Sequence, residues 1–226
     1  ELLSRNLNGA FFPPRVAIKE SKMLNVNSIH HILSCTQNIN FLINDLHQFC
    51  QSYGYESKQI KFFYESNAVA NRFDNKDIIY FKRMLQHVLP EELRNFITSQ
   101  LFKKYVGLSE SEFSQKLYMN IDELKKLYRS GMSIGSHGSM HYWLNKLSYE
   151  KQKEDILSSL EFLEEIGTST SNWIMCYPYG GYNESTLNLI NELGAVVGLT
   201  NIAKKAIIGK DNHLILPRFD TNDFPQ

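Results

Sequence analysis

The chain has 226 residues, 42% of them hydrophobic, and its 24 Lys+Arg balance its 24 Asp+Glu. That composition supports one substantial core, and a net charge of zero gives no electrostatic reason to expect nucleic acid or an anionic membrane as partner. No apolar stretch approaches the roughly 20 residues of a membrane-spanning helix. Cys35, Cys50 and Cys176 are too few and too scattered for a disulfide framework or a thiolate metal site, which suits a reducing, cytoplasmic setting.

In chain order, "ELLSRNLNGAFFPP" lacks a starting Met and the basic-then-apolar layout of a signal peptide. It reads as the end of a helix running into a buried strand at Gly9 to Pro14, so part of the structural unit is expected upstream. From about Val26 to Arg129 the pattern is helical. Ile29, Leu33, Ile39, Leu42, Ile43 and Leu46 fall at helical spacing, and a further helix pair breaks near Pro90, where the hydrogen-bond ladder cannot continue. Asn120 with Glu123 forms a capping box, starting a helix that places Leu124, Leu127 and Tyr128 on one face and stops at Gly131.

The remainder alternates strand and helix. "MSIGSH" is a short strand, and Ser148 caps a helix with Ile156, Leu160 and Leu163 in one stripe, ending at Gly167. "NWIMCYP" (172–178) is a strand, and Asn183 caps a helix over 184–193. "AVVGLT" (195–200) and "LILPRF" (214–219) are two more strands. Such alternation predicts a parallel α/β layout, with chemistry at the C-terminal ends of the strands. His137, Tyr179 and Arg218 fall at such ends.

His137 and His141 are four residues apart, so on one side of a helical turn their neutral imidazoles could converge on one Zn²⁺. Gly138 and Ser139 leave room for an ion. On spacing alone, two surface histidines are the commoner reading. A second stretch narrows the reading. "GSHGSMHYWLNKLS", a long helix, and then "YPYGGYNESTLNLINELGAVVGLT" resemble the polysaccharide deacetylase family, the NodB-homology domain of carbohydrate esterase family 4. The family's His-Ser/Thr-x-x-His motif is matched by His137-Gly138-Ser139-Met140-His141. Its Arg-x-Pro-Tyr/Phe-Gly motif is matched by Cys176-Tyr177-Pro178-Tyr179-Gly180. The likeness is continuous over about residues 131 to 202.

The resemblance implies a distorted (β/α) barrel, here one domain over 1–226 with a large helical insertion at about 19–130 and its first strand missing. It implies removal of acetyl groups from N-acetylated sugars in bacterial glycan or capsule metabolism, using a divalent metal, commonly Zn²⁺, held by two histidines and an aspartate. His137 and His141 become metal ligands and the Tyr179 amide an oxyanion donor. Tyr177, Pro178 and Trp143 become substrate contacts.

Three departures accompany the resemblance. The Thr-Phe-Asp-Asp motif, source of the base and the metal-binding aspartate, would lie before residue 1. The third motif carries Cys176 in place of arginine, for which Arg218 is a candidate replacement, with Asp220 or Asp223 beside it for catalytic or substrate contacts. The late Leu-x-His motif is not evident; His213 precedes a strand rather than ending it, and His30 or His31 is at most pocket-lining. A degenerate domain that binds carbohydrate without hydrolysing it is the alternative. The helical insertion is expected to shape substrate access.

Overall fold

The computed structural model describes residues 1–71 and 73–224. Its contacts divide into two compact units, Glu1–Ser21 with Tyr118–Gln226, and Lys22–Leu117. The first opens with β1 (Ala10–Phe11) and α1 (Arg15–Lys19). The second carries α2 (Asn25–Ser34), α3 (Ile39–Ser52), α4 (Ser57–Asn67), α5 (Lys76–Arg83), α6 (Glu91–Val106) and α7 (Glu110–Leu117). The first unit then resumes with α8 (Ile121–Arg129), β2 (Ser133–Ile134), α9 (Tyr149–Ile166), β3 (Trp173–Cys176), α10 (Glu184–Glu192) and β4 (Ala195–Leu199).

The helical unit has a core of its own. Ile29, Ile32, Leu42, Leu46, Phe81, Leu85, Ile97, Leu101 and Phe102 are fully buried, each contributing about 1.5–3 kcal/mol of hydrophobic stabilisation. Pro90 stands at the N-cap of α6, after a π-helical turn at Met84–Val88 that ends α5, as its missing donor requires. His31 lies edge-on to Phe113, with ring centroids 4.5 Å apart.

In the other unit the strands are short and parallel. Ala10 pairs with Ser133 and Phe11 with Ile134; Trp173 to Cys176 run beside Ala195 to Leu199. Single bridges, Ser136 to Met175 and Leu199 to Leu216, connect these pairs in the order β1, β2, β3, β4, 216. Among the described residues this series is open: an α/β arrangement is present, and closure into a barrel is not shown. The core under it joins Leu124, Leu144, Ile156, Phe162, Leu163, Trp173, Met175, Leu189 and Ile190. Leu124 anchors α8 in this core, so the helical unit ends at Leu117 and α8 belongs with the strands.

Local chemistry explains the departures. β1 is not buried: Ala10 is exposed and Phe11 half-exposed. Tyr128 is 39% exposed, so α8 buries a narrower stripe than its sequence suggests. The strand expected at 214–219 is a 3₁₀ turn at His213–Ile215 followed by a single bridge. Leu216 N–H still donates to the Gly198 carbonyl at 2.7 Å, but Arg218 N–H goes to the Ile202 carbonyl at 3.0 Å, so the regular ladder does not continue.

Candidate active site

The site is built where β2 and β3 end. Beyond β2 the chain stays in register through Ser136, whose N–H donates to Ile174 O at 2.8 Å and whose carbonyl accepts from Cys176 N–H at 2.9 Å. The next residues form an irregular loop rather than the helical turn expected from the histidine spacing. Gly138 (φ 69°) and His141 (φ 58°) both take left-handed backbone conformations. For His141 this costs about 1–2 kcal/mol. The result is convergence all the same, with the two imidazole centroids 4.8 Å apart.

His137 Nδ1–H donates to the Cys176 carbonyl at 2.5 Å, a contact that leaves Nε2 with its lone pair outward. Burial holds the His137 imidazole down at about 4; the Arg218 charge lowers it further, against the Cys176 hydrogen bond, which raises it. Burial likewise takes His141 to about 3, with its neighbour His137 adding to the effect. At neutral pH both rings are therefore neutral, the form that binds a metal.

The facing wall is the turn after β3. Tyr179 is left-handed (φ 57°), its ring stacked on Trp143 at 4.8 Å and 7° and edge-on to His141 at 4.7 Å. Its carbonyl accepts from Asn201 Nδ2 at 3.1 Å. Trp143 and Tyr179 thus stand beside the imidazole pair, as the sequence suggests. Tyr177 is corrected: it is 2% exposed and its hydroxyl donates to Leu214 O at 2.6 Å, so it braces the core rather than meeting a substrate. Pro178 is buried too, and sets the turn.

Arg218 arrives from the far edge of the series. Its Nη2 donates to Cys176 Sγ at 3.3 Å and its Nε to Thr200 O at 2.9 Å. A guanidinium therefore sits on the thiol occupying the position where the resemblance expects arginine. Burial pushes the Cys176 thiol up despite that charge. Asp220 accepts from Asn222 N and Nδ2 in an exposed turn that also uses Asp223. His213 is exposed at the start of its 3₁₀ turn.

One residue escaped the sequence reading. Asp155, on α9, is buried, and its Oδ2 and Oδ1 accept the consecutive N–H groups of Ser139 (3.0 Å) and Met140 (2.8 Å). A signal existed: Gln152, Asp155 and Ser159 place polar side chains at helical spacing within the buried stripe of α9. Among the described residues no group of three or more His, Cys, Asp and Glu is placed to hold an ion. Among the described residues the imidazole pair is therefore not joined by a third side chain of these types.

Comparison with known proteins follows the same stretch. Residues 94–198 match the model of the polysaccharide deacetylase family. Over these residues the chain is similar to the polysaccharide deacetylase family. A curated Bacillus subtilis protein named as a polysaccharide deacetylase, YxkH, is 29% identical over 106 residues, which is 44% of this chain and 37% of that protein. Among solved structures, the Streptococcus pyogenes deacetylase PplD in complex with acetate is similar at 25% identity and TM-score 0.41, covering 45% of this chain and 44% of that one. IcaB from Ammonifex degensii is similar at 23% identity and TM-score 0.39, covering 46% and 48%. The chain thus spans about a third of the curated deacetylase that it matches. His137, His141 and the turn at 176–180 all fall inside the matched polysaccharide deacetylase segment.

Proposed function

We propose that this chain is the His-x-x-x-His portion of a metal-dependent deacetylase that removes acetyl groups from an N-acetylated sugar in bacterial glycan or capsule metabolism. The observation carrying the reading is the approach of two neutral imidazoles, 4.8 Å apart, at the end of β2 and within the polysaccharide deacetylase match. Two neutral histidines suit Zn²⁺ or a similar ion, and a carboxylate ligand is still required for a set of three. When bound, such an ion supplies Lewis acidity to an amide carbonyl.

The chain's own residues do the rest of the work described here. His137 is oriented by the Cys176 carbonyl, and His141 by the ring of Tyr179. The stacked Trp143 and Tyr179 offer aromatic surface against which a pyranose ring can rest. The Tyr179 N–H is the candidate oxyanion donor, and the Arg218 guanidinium supplies positive charge at the Cys176 corner.

The test has two parts. Metal content of wild-type protein should exceed that of His137→Ala under equal zinc loading, and release of acetate from an N-acetylated oligosaccharide should fall at least 100-fold in His137→Ala and His141→Ala. Equal zinc content in wild type and His137→Ala would remove the metal assignment. Unchanged acetate release would remove the role of the pair in hydrolysis.

A further inference from the structure

We infer that Asp155 is the positioning residue for the imidazole pair, its carboxylate gripping two consecutive amides of the 137–141 loop and so fixing the approach of His137 to His141. The argument begins with what the loop lacks. It is neither helix nor strand, so its N–H groups have no ladder partners, and buried amides need acceptors. A carboxylate is the side chain that presents two acceptor oxygens side by side, and each oxygen of Asp155 takes one amide.

The same peptide is held from its other side. Ser139 O accepts the N–H of Val16, one of the orphan donors opening α1, at 3.0 Å. One face of α9 completes the cradle. Ser158 Oγ lies 3.2 Å from Ser139 Oγ, and Ser159 Oγ lies 2.7 Å from Ser136 Oγ. Of these contacts only that of Asp155 reaches two amides at once, and only it is charged.

Gly138 fits this arrangement closely. A Cβ there would stand 2.5 Å from Asp155 Oδ2, and the backbone is already at φ 69°. The glycine thus gives the carboxylate space to approach the chain, and the carboxylate keeps the chain in a conformation that ordinary residues avoid. Asp155 touches neither imidazole; it acts through the backbone between them.

The inference is tested in the full chain, metal-free, with ring-labelled histidine. Wild type should show a nuclear Overhauser cross-peak between the His137 and His141 rings. Asp155→Asn, the same size but with one acceptor replaced by a donor, should lose it while retaining a cooperative melt. Zn²⁺ affinity by chelator competition should fall about 10–100-fold, the usual effect of losing an outer support of a metal ligand. Ser158→Ala, which removes a side-chain contact from the same helix, should leave both readouts as in wild type.

A retained cross-peak in Asp155→Asn overturns the inference, as does equal loss in Ser158→Ala. If Asp155→Asn does not fold, Gly138→Ala poses the question from the loop side: its methyl must displace the carboxylate, and a retained cross-peak there is equally fatal. The zinc measurement rests on the proposed metal reading, whereas the cross-peak does not. Absence of zinc binding in wild type therefore rejects the metal and leaves the positioning role to be decided by the rings.

Discussion

The two histidines were legible in the sequence because their spacing and the following Tyr177-Pro178-Tyr179-Gly180 turn are local patterns. Their geometry was not. Convergence depends on left-handed backbone at Gly138 and His141, and the spacing suggested a helical turn instead. Asp155 was missed for a different reason, since a carboxylate among the charges of a long helix resembles a solvated one unless its place in the buried stripe is weighed. Burial of the imidazoles has a pH consequence. The unfolded chain takes protons near 6.5, whereas folded His137 and His141 resist them down to about 4 and 3. The folded state thus binds fewer protons than the unfolded one between these limits, so this contribution to stability is whole above pH 6.5 and declines as pH falls toward 4. Urea titrations of metal-free protein at pH 7.5 and at pH 4.5 should show this loss, and a His137→Gln/His141→Gln double variant should be correspondingly less acid-sensitive.

At the scale of elements, helices showed in their caps and β1 to β4 as short apolar runs, while the pairing of the strands did not show. Ser148, Asn120 and Asn183 each accept a backbone N–H of the first turn that follows, as their positions in the sequence suggested. The strands are two to five residues long, too short for alternation to show, and their pairing is set by segments far away in the chain. The last expected strand reduces to a single bridge between Leu199 and Leu216. The Asn183 cap is well placed for measurement. Its Oδ1 accepts from Thr186 N–H at 2.9 Å, while the Thr186 hydroxyl donates to buried Gln152 of α9 at 2.7 Å. Asn183→Ala should cost about 1 kcal/mol in urea unfolding with an unchanged slope. A cost near zero would mean that α10 is held by packing alone.

At the scale of the whole chain, strand–helix alternation correctly suggested a parallel α/β arrangement. Closure into a barrel came from the resemblance, and the observed series of strands is open. The long segment was legible as helical from its periodicity. That it has a core independent of the strands was not, because periodicity reports which face of a helix is buried and not what covers it. Two cores in one chain raise a question of cooperativity. The chain carries its own means of answering it. Its only two tryptophans, Trp143 and Trp173, both lie in the unit of Glu1–Ser21 and Tyr118–Gln226. Red-edge-excited fluorescence therefore reports unfolding of the strand unit alone, whereas far-ultraviolet circular dichroism also registers the helices of Lys22–Leu117. The two denaturation curves should separate, and coincident curves would show the units melting as one. Trp143 lies flat on Tyr179 beside the histidines, so its emission is also an optical gauge of whatever occupies that corner.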